Sequence, residues 1–421
     1  MGPSTCAEAA GPYAMSSVML DASIVPAPTA SGFGSDLFTQ LPVAVDPSNN
    51  RVYVGLTQAA GDSFDAVIAG DDGSVASVPG ASNGGIAITS DGLGVLLFDP
   101  NPTVDDRVWA SVARVGFDGS VAFNVDLFRS PNLEDVGTKG APSTSRFGYL
   151  PDSDQLVAYF AHTQRYDDGV RHQGGYLALI DSEGGVDRLS EWFGSHNLDQ
   201  RLLVSASSAA VVGLGDAYPE GIFFSFLDDA RTNVIYPLAA AGNGATNGQL
   251  GGAVDLGENV VVPFITNNSV PQDLDAGTWP DIDEAIADQI RAAAANGTDL
   301  GLLSVAKGEE LPREGGLTAT FLESGLGEGS RLVRLKSAQY GTGGLILLLW
   351  AEATGSGRSS AISGYYAMVV DANGAVCQAK TELGAGFGFT AGDDVVRRPD
   401  GSIVWANAEN DAVNIVTLTP Q

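Results

Sequence analysis

Apolar residues alternate with polar ones in short runs along most of the chain, and each run ends in a turn. The clearest example is residues 42–57, where Val43 and Val45 alternate before the turn at 46–50 and the alternation resumes at Val52. Turn-forming residues between two alternating β-branched runs are typical of a β-hairpin. This stretch therefore predicts two antiparallel strands.

The same hairpin pattern recurs along the chain. The further copies lie at 85–98, 147–159, 202–212, 252–262, 340–350 and 395–405. A second hairpin follows each copy, and its turn is clearest at 71–75, 118–121 and 371–376. Each unit is thus four short strands, which is typical of a blade of a β-propeller. The strands are rich in apolar and small residues, as expected where neighbouring blades bury both faces of a sheet.

The last unit ends after 413–418, one strand short of a complete blade. The N-terminal run 17–25 supplies a candidate strand, and pairing it with the last blade would close the ring and cover an exposed sheet edge. A two-sheet sandwich and a β-helix are the alternatives, and the grouping in fours argues against both. We therefore expect a single domain, 1–421. The expected blades are 41–80, 81–130, 140–194, 195–240, 245–325, 331–386, and 387–421 together with 16–25.

The hairpins at 42–57 and 85–98 resemble the repeats of YVTN-type and related seven-bladed β-propellers. The resemblance covers nearly the whole chain and concerns its architecture. It implies an all-β, seven-bladed propeller closed by an N-terminal strand. Propellers host many unrelated activities, so the resemblance implies no particular chemistry.

One segment departs from the strand pattern, between Thr266 and Asp299 in the fifth blade. Acidic residues follow Pro280, an apolar stripe recurs every four residues from Ile282, and Asn296-Gly297 ends the pattern. These features fit the boundary rules for an α-helix. We expect one short helical insertion over 279–295.

The chain is strongly acidic, with a formal net charge of −30 and a pI near 4.1. Such a surface would repel nucleic acid and anionic membranes, so neither is an expected partner. No run approaches the roughly 20 apolar residues of a membrane span. The acidity has two explanations: a solvated surface suited to a saline or extracellular setting, or carboxylates that hold Ca²⁺. Most of the positive charge is arginine, which fits a GC-rich, bacterial genome.

The chain has two cysteines, Cys6 and Cys377. A disulfide between them would pin the N-terminal segment to the outer strand of the sixth blade and indicate an oxidising compartment. Alternatively, Cys6 is free or is a lipid attachment site. We expect an extracytoplasmic protein, secreted or periplasmic, with a lipid-anchored form as the less favoured version. We expect it to be a monomer.

Chemistry-bearing residues concentrate in loops of the third and fourth blades, which should open on the same rim. The candidate ligand-binding residues are His162, Arg165, Tyr166, Arg171, His172, His196 and Tyr218. The candidate metal ligands are His162, His172, His196 and Asp216, since imidazole and carboxylate groups bind transition metals. The alternative is that the histidines hydrogen-bond the backbone or face water, and that the arginines pair with neighbouring Asp167 and Asp168.

Two function classes remain open. The favoured one is a ligand-binding or scaffold protein that takes a small polar or anionic ligand, or another protein, on one rim of the channel. The alternative is a propeller enzyme, a metal-dependent hydrolase or lyase with Ca²⁺ or a transition metal at the channel mouth. Polar residues near the inner ends of blades (Asn83, Asn247 and Asp394) are scattered and do not predict a metal-binding ring. No phosphate loop, dinucleotide fingerprint or nucleophile elbow is present in the sequence.

Overall fold

The computed structural model describes a set of residues that together trace the whole ring of strands. They are 6, 13–20, 41–60, 63–99, 108–129, 145–165, 171–195, 197–205, 209–215, 221–228, 233–237, 249–266, 298–311, 317–322, 325–327, 329–341, 344–354, 361–384, 386–390, 392, 394–409 and 412–420. Among these residues the regular structure is β-strand, with no α-helix. Within the same ranges, no helix has the length and apolar character needed to cross a membrane.

The strands are numbered β1 to β29 in chain order. They are β1 (Tyr13–Met19), β2 (Val43–Val45), β3 (Val52–Ala60), β4 (Ser63–Gly70), β5 (Val75–Pro79), β6 (Ser82–Ile88), β7 (Gly92–Phe98), β8 (Val108–Gly116), β9 (Val121–Arg129), β10 (Arg146–Leu150), β11 (Gln155–Arg165), β12 (Arg171–Ile180), β13 (Val186–Ser195), β14 (Asn197–Val204), β15 (Ala209–Gly215), β16 (Gly221–Phe226), β17 (Asn233–Pro237), β18 (Gln249–Leu250), β19 (Val254–Asp255), β20 (Asn259–Thr266), β21 (Asp299–Ala306), β22 (Thr320–Leu322), β23 (Ser330–Tyr340), β24 (Leu345–Thr354), β25 (Ala361–Asp371), β26 (Val376–Glu382), β27 (Val396–Arg397), β28 (Ile403–Glu409) and β29 (Ala412–Pro420).

These strands form seven antiparallel sheets. Blades 1 to 6 are runs of consecutive strands: β2–β5, β6–β9, β10–β13, β14–β17, β18–β22 and β23–β26. Blade 7 joins β27, β28 and β29 to β1. The first strand of each blade contacts the first strand of the next, and β27 contacts β2. The sheets therefore stand in a closed ring, which confirms the prediction of an all-β fold with seven blades.

The N-terminal strand closes the ring as predicted, although its bounds differ from the prediction. β1 pairs with β29 from Tyr13 opposite Pro420 to Met19 opposite Asn414, so it begins before the predicted residue 17. Tyr13 and Met15 pack on the apolar cluster between blades 6 and 7. The prediction placed the strand further along the chain because Val18 and Met19 are apolar. In the structure these two side chains are 55% and 60% exposed.

A disulfide reinforces this closure. Cys6 is bonded to Cys377, with the two Cα atoms 4.7 Å apart, so of the alternatives left open by the sequence the structure contains the disulfide. Cys377 lies in β26, the outermost strand of blade 6, whereas β1 is the outermost strand of blade 7. The N-terminal segment is thus attached to two neighbouring blades.

The core consists of seven apolar clusters, one between each pair of adjacent blades. Between blades 2 and 3, for example, the ring of Phe98 packs on Trp109 at 5.1 Å and on Phe160 at 5.5 Å. Each blade buries both faces, which explains continuous apolar runs such as 345–351 in β24. The predicted helix over 279–295 lies outside the described residues.

Candidate functional site

The first strands of all seven blades surround a central channel with a cavity volume of about 400 Å³. We call the end where these strands begin the upper end, and the end where they finish the lower end. Between the two ends the wall is formed by glycine and apolar residues that include Val43, Ile86, Phe147, Leu202 and Val204. Polar side chains are concentrated towards the ends. The charged side chains that line the channel therefore lie at its two ends.

An ion-pair network crosses the channel at the upper end. Asp394, just before β27, lies 2.5 Å from Nε of Arg146 through Oδ2 and 3.3 Å from Nε of Arg201 through Oδ1. Arg146 belongs to blade 3 and Arg201 to blade 4, which stand opposite blade 7 in the ring. Lys336 of β23 is buried and also interacts electrostatically with Asp394. With Asp199, these residues form what we call the upper-end charge cluster.

The backbone holds both guanidinium groups in place. Arg146 donates to the carbonyl oxygens of Ser145 and Gly392, at 2.7 Å each. Arg201 donates to the carbonyl oxygens of Gln200 and Leu250, at 2.9 Å each. Because these bonds use the terminal nitrogens of each guanidinium, its Nε edge faces the carboxylate of Asp394.

Asp199 supports Arg201 from the side away from Asp394. Its Oδ1 lies 2.8 Å from Nη1 of Arg201, and its Oδ2 accepts the backbone N–H of Leu250 at 2.7 Å. The side chains of both residues are only 3% exposed, so the pair is buried. A buried carboxylate needs such partners, because an unpaired buried charge is costly.

The cluster is more cationic than its single channel-facing carboxylate can neutralise. Burial by itself would raise the pKa of Asp394, but the positive charges of Arg146, Arg201 and Lys336 outweigh burial and hold that pKa below its ordinary value. Burial lowers the pKa of Arg146, against the attraction of Asp394. Arginine nonetheless stays protonated at any physiological pH. The upper end is therefore a permanent positive site with an ionised aspartate in it.

The charged groups of the lower end are also paired within the fold. Oδ1 of Asp255 accepts hydrogen bonds from Nζ of Lys307 at 2.6 Å and from the backbone N–H of Gly257 at 2.8 Å. Its Oδ2 accepts the hydroxyl of Ser205 at 2.5 Å. Arg397 donates to the carbonyl oxygen of Gly341 at 3.0 Å. These contacts involve two cations, Lys307 and Arg397, against three in the upper-end charge cluster, so the upper end is the stronger candidate for an anionic ligand.

The structure describes some of the rim residues that the sequence singled out. His162 lies in β11, is 2% exposed, and packs its ring 5.1 Å from Phe128 and 6.2 Å from Tyr176. Arg165 and Arg171 face each other in register at the end of the β11–β12 hairpin, so the strands extend further into the predicted loop than expected.

The remaining rim candidates are only partly placed. The backbone of His172 pairs with Gln164 next to the hairpin end. Tyr166, His196, Asp216 and Tyr218 lie outside the described residues. Across the part of the chain that the structure describes, no group of three or more His, Cys, Asp and Glu side chains is arranged to hold a metal ion.

Asp394 is recognisable in the sequence as an inner-end polar residue, whereas its partners Arg146 and Arg201 are not among the predicted site residues. The signal was an arginine placed directly before the apolar alternation of an inner strand, in Arg146-Phe147 of blade 3 and again in Arg201-Leu202 of blade 4. Asn83 does not join this cluster; its Oδ1 accepts the backbone N–H of Gly85 at 2.9 Å. Asn247 lies outside the described residues.

No protein-family model and no curated protein matches the sequence. Among solved structures, the chain is similar to the polysaccharide lyase Uly1, at 10% identity and a TM-score of 0.48, over 90% of each chain. It is similar to an α-L-arabinanase of Penicillium chrysogenum bound to arabinobiose, at 11% identity and a TM-score of 0.44, over 96% of this chain and 98% of that one.

A third likeness is to prolyl oligopeptidase B of Galerina marginata, at 10% identity and a TM-score of 0.42 over 89% of this chain. The chain spans 46% of that enzyme's length. At such identities the likeness concerns the fold alone. Seven antiparallel sheets in a closed ring around one channel make the chain a seven-bladed β-propeller.

Proposed function

We propose that this propeller is an extracytoplasmic ligand-binding protein that holds a small carboxylate in its channel, with the carboxylate group at the upper end. One observation carries the proposal: Arg146, Arg201 and Lys336 converge on Asp394, which lines the channel together with Arg146, inside a chain of net charge −30. Burying cations has a high desolvation cost, which a bound anion offsets. Guanidinium groups match the geometry of carboxylates in particular.

The rest of the channel indicates the body of that ligand. The cavity volume of about 400 Å³ falls within the roughly 300–1,000 Å³ of small-molecule sites. Its middle is lined by the free inner edges of the first strands, at residues that include Ile86 and Phe147, whose side chains pack between the blades. Benzoate, a carboxylate with a compact body, matches both the charged end and this volume.

The proposed localisation is supported by the Cys6–Cys377 disulfide. Structural disulfides persist in oxidising compartments and are rare in the reducing cytosol.

We also propose that the ligand reaches the channel past the rim of blades 3 and 4. Arg146 is opposite Tyr159 of β11, and β11 continues to Arg165. At about 3.3 Å per residue, the hairpin projects roughly 20 Å beyond Arg146 on the upper side. Arg165, Arg171 and His172 lie at its end in the backbone register, and with Tyr166, His196 and Tyr218 they remain predicted members of this rim sector. Alanine at Arg171 or His196 should slow benzoate association while folding is retained.

The test is a titration of the full chain with benzoate and with benzamide, its uncharged analogue, followed by calorimetry. We expect benzoate to bind and benzamide to bind at least about tenfold more weakly, since one charged hydrogen-bonded contact contributes roughly 1.5–3 kcal/mol. R146Q should lose benzoate binding. R129Q is the matched control, because Arg129 is 52% exposed and pairs with Asp126 on the surface.

Equal binding of benzoate and benzamide, or unchanged benzoate binding in folded R146Q, would contradict the proposal. Should R146Q not fold, R146K tests the same point. Lysine keeps the charge but lacks the planar fork, so benzoate should bind R146K more weakly than it binds the wild type.

A further inference from the structure

We propose that Asp394 is a built-in competitor at this carboxylate site: its side chain occupies the place of the ligand carboxylate between Arg146 and Arg201, and a ligand must displace it to bind. This inference rests on the proposed function. It adds that the site is occupied from within the chain, and that the affinity for carboxylates is set by this internal occupant.

The geometry of Asp394 is that of a bound carboxylate. Its two oxygens face two different guanidinium groups, Oδ2 at 2.5 Å from Arg146 and Oδ1 at 3.3 Å from Arg201. The two arginines come from adjacent blades, whereas the carboxylate reaches them from the opposite side of the ring. Arg146 and Asp394 line the channel whereas Arg201 does not, so an external carboxylate would reach both Nε edges only in the place that Asp394 occupies.

The arginine pair does not depend on Asp394 for its shape. Arg146 is fixed by the carbonyl oxygens of Ser145 and Gly392. Arg201 is fixed by two further carbonyl oxygens and by the carboxylate of Asp199. Gly392 is two residues from Asp394, so these contacts remain when the side chain of Asp394 rotates away and its backbone stays in place, and the receptor for a carboxylate is preorganised.

Asp394 is the less restrained partner. Its side chain is 29% exposed, against 7% for Arg146 and 3% for Arg201. It precedes β27 rather than lying within a strand. Among the described residues, neither Nε of Arg146 nor Oδ1 of Asp394 has an aligned hydrogen-bond partner. The contact is therefore a close ion pair with imperfect hydrogen-bond geometry, which a freely oriented ligand carboxylate can improve on.

Asp394 competes as an anion throughout the physiological pH range. The charged groups that act on it are Arg146 of β10, Arg201 of β14 and Lys336 of β23, while Asp199 of β14 pairs with Arg201 on the side away from Asp394. Burial raises the pKa of Asp394, but the three cations outweigh burial and lower it below the ordinary value of about 3.9. At neutral pH the aspartate is ionised, and any ligand has to compete with it.

The decisive variant is D394N, which keeps the shape of the side chain and removes its charge. If Asp394 occupies the arginine pair in about 90% of molecules, its removal raises the apparent affinity about tenfold, because affinity scales with the competent fraction. We therefore expect benzoate to bind D394N at least about tenfold more tightly than it binds the wild type. D126N is the matched control, since Asp126 forms an exposed ion pair with Arg129, and its benzoate affinity should not change.

The outcomes separate this inference from the proposed function. Suppose that the wild type binds benzoate through Arg146 and that D394N binds it no more tightly. The inference that Asp394 competes with the ligand is then wrong, and the proposed binding function stands. If neither protein binds benzoate, both proposals fail. Should D394N not fold, a crystal structure of the wild type soaked in benzoate decides. Asp394 must then lie more than about 4 Å from Arg146, beyond ion-pair distance, and an unmoved Asp394 beside bound benzoate overturns the inference.

Discussion

Single charged residues inside the ring have specific structural partners, and Arg114 shows what one of them contributes. This arginine of β8 is 4% exposed and bridges two turns, with Nη2 2.7 Å from Asp91 of blade 2 and 3.0 Å from Asp154 of blade 3. Its hydrogen bond lowers the pKa of Asp91, against the effect of burial. The network joins neighbouring blades on the lower side of the ring, away from the carboxylate site.

We expect R114Q to lower the free energy of unfolding by about 2 kcal/mol, the scale of hydrogen bonds to charged groups. The loss stays moderate because the side chains of Asp91 and Asp154 are 65% and 40% exposed and can be hydrated instead. Urea unfolding monitored by tryptophan fluorescence measures it. The exposed R129Q change should cost less than about 0.5 kcal/mol. Equal losses in the two variants would contradict a bridging role for Arg114.

At the residue scale the sequence revealed chemistry but not partners. The sequence identified Asp394 as a polar residue at the inner end of a blade. Its segment contacts Arg146 also through the carbonyl oxygen of Gly392, which lies 246 residues from that arginine along the chain. No local pattern encodes a contact across the ring. His162 was predicted to lie in a loop. In the structure it belongs to β11, and its imidazole ring packs on Phe128.

Among the elements of the fold, the hairpin turns are the ones whose conformation is most directly determined by their own residues. In the turns that precede the fourth strands, Asp118 accepts the backbone N–H of Ser120 at 2.9 Å, and Gly119 has a φ of +82°. Asp72 and Gly73 repeat this arrangement in blade 1, with a φ of +85° at the glycine. Glycine adopts this left-handed conformation without a steric penalty, which is why the turns could be recognised from the sequence.

Gly119 provides a test of turn chemistry separate from packing, because an added Cβ would meet no atom within 4 Å. We expect G119A to destabilise the fold by about 1 kcal/mol through the left-handed backbone alone. G119N should cost clearly less, because asparagine tolerates this conformation. Chemical denaturation of both variants measures the difference. If alanine and asparagine cost the same, the conformational explanation is wrong.

The strand that closes the ring was harder to predict than the hairpins. Its partner β29 lies at the other end of the chain, so no turn residue marks where β1 begins. The apolar run Val18-Met19-Leu20 drew the predicted strand towards 17–25. In the structure Leu20 is buried beside β29, while Val18 and Met19 are exposed. Alternation locates a strand, but its ends depend on packing against the rest of the ring.

For the whole molecule, the net charge of −30 opposes the proposed ligand outside the channel and makes the upper-end cluster the place where an anion is favoured. The fold class and blade count could be predicted because each blade repeats the same local rules. The functional site could not, because it is assembled from blades 3, 4, 6 and 7 by ring closure. Anything that opens the ring should therefore affect both stability and the site.

Three variants separate the contributions of the Cys6–Cys377 disulfide and of the β1–β29 pairing to ring closure. Deleting residues 1–12 removes Cys6 and keeps β1, and C377S removes the same disulfide by another route. Both should lower stability by a similar amount, about 2–5 kcal/mol for loss of a disulfide. Deleting residues 1–20 also removes β1 and exposes the whole edge of β29, from Ala412 to Pro420. This deletion should lower the melting temperature further and promote association through the unpaired edge.

Calorimetric melting and light scattering of the three proteins measure these effects, with the reduced wild type as a fourth sample. The reduced wild type should melt like C377S, since both retain β1 and lack the bond. If the 1–20 deletion melts like the 1–12 deletion and stays monodisperse, β1 does not hold the ring closed. The disulfide would then be the contact that holds the N-terminal segment and closes the ring.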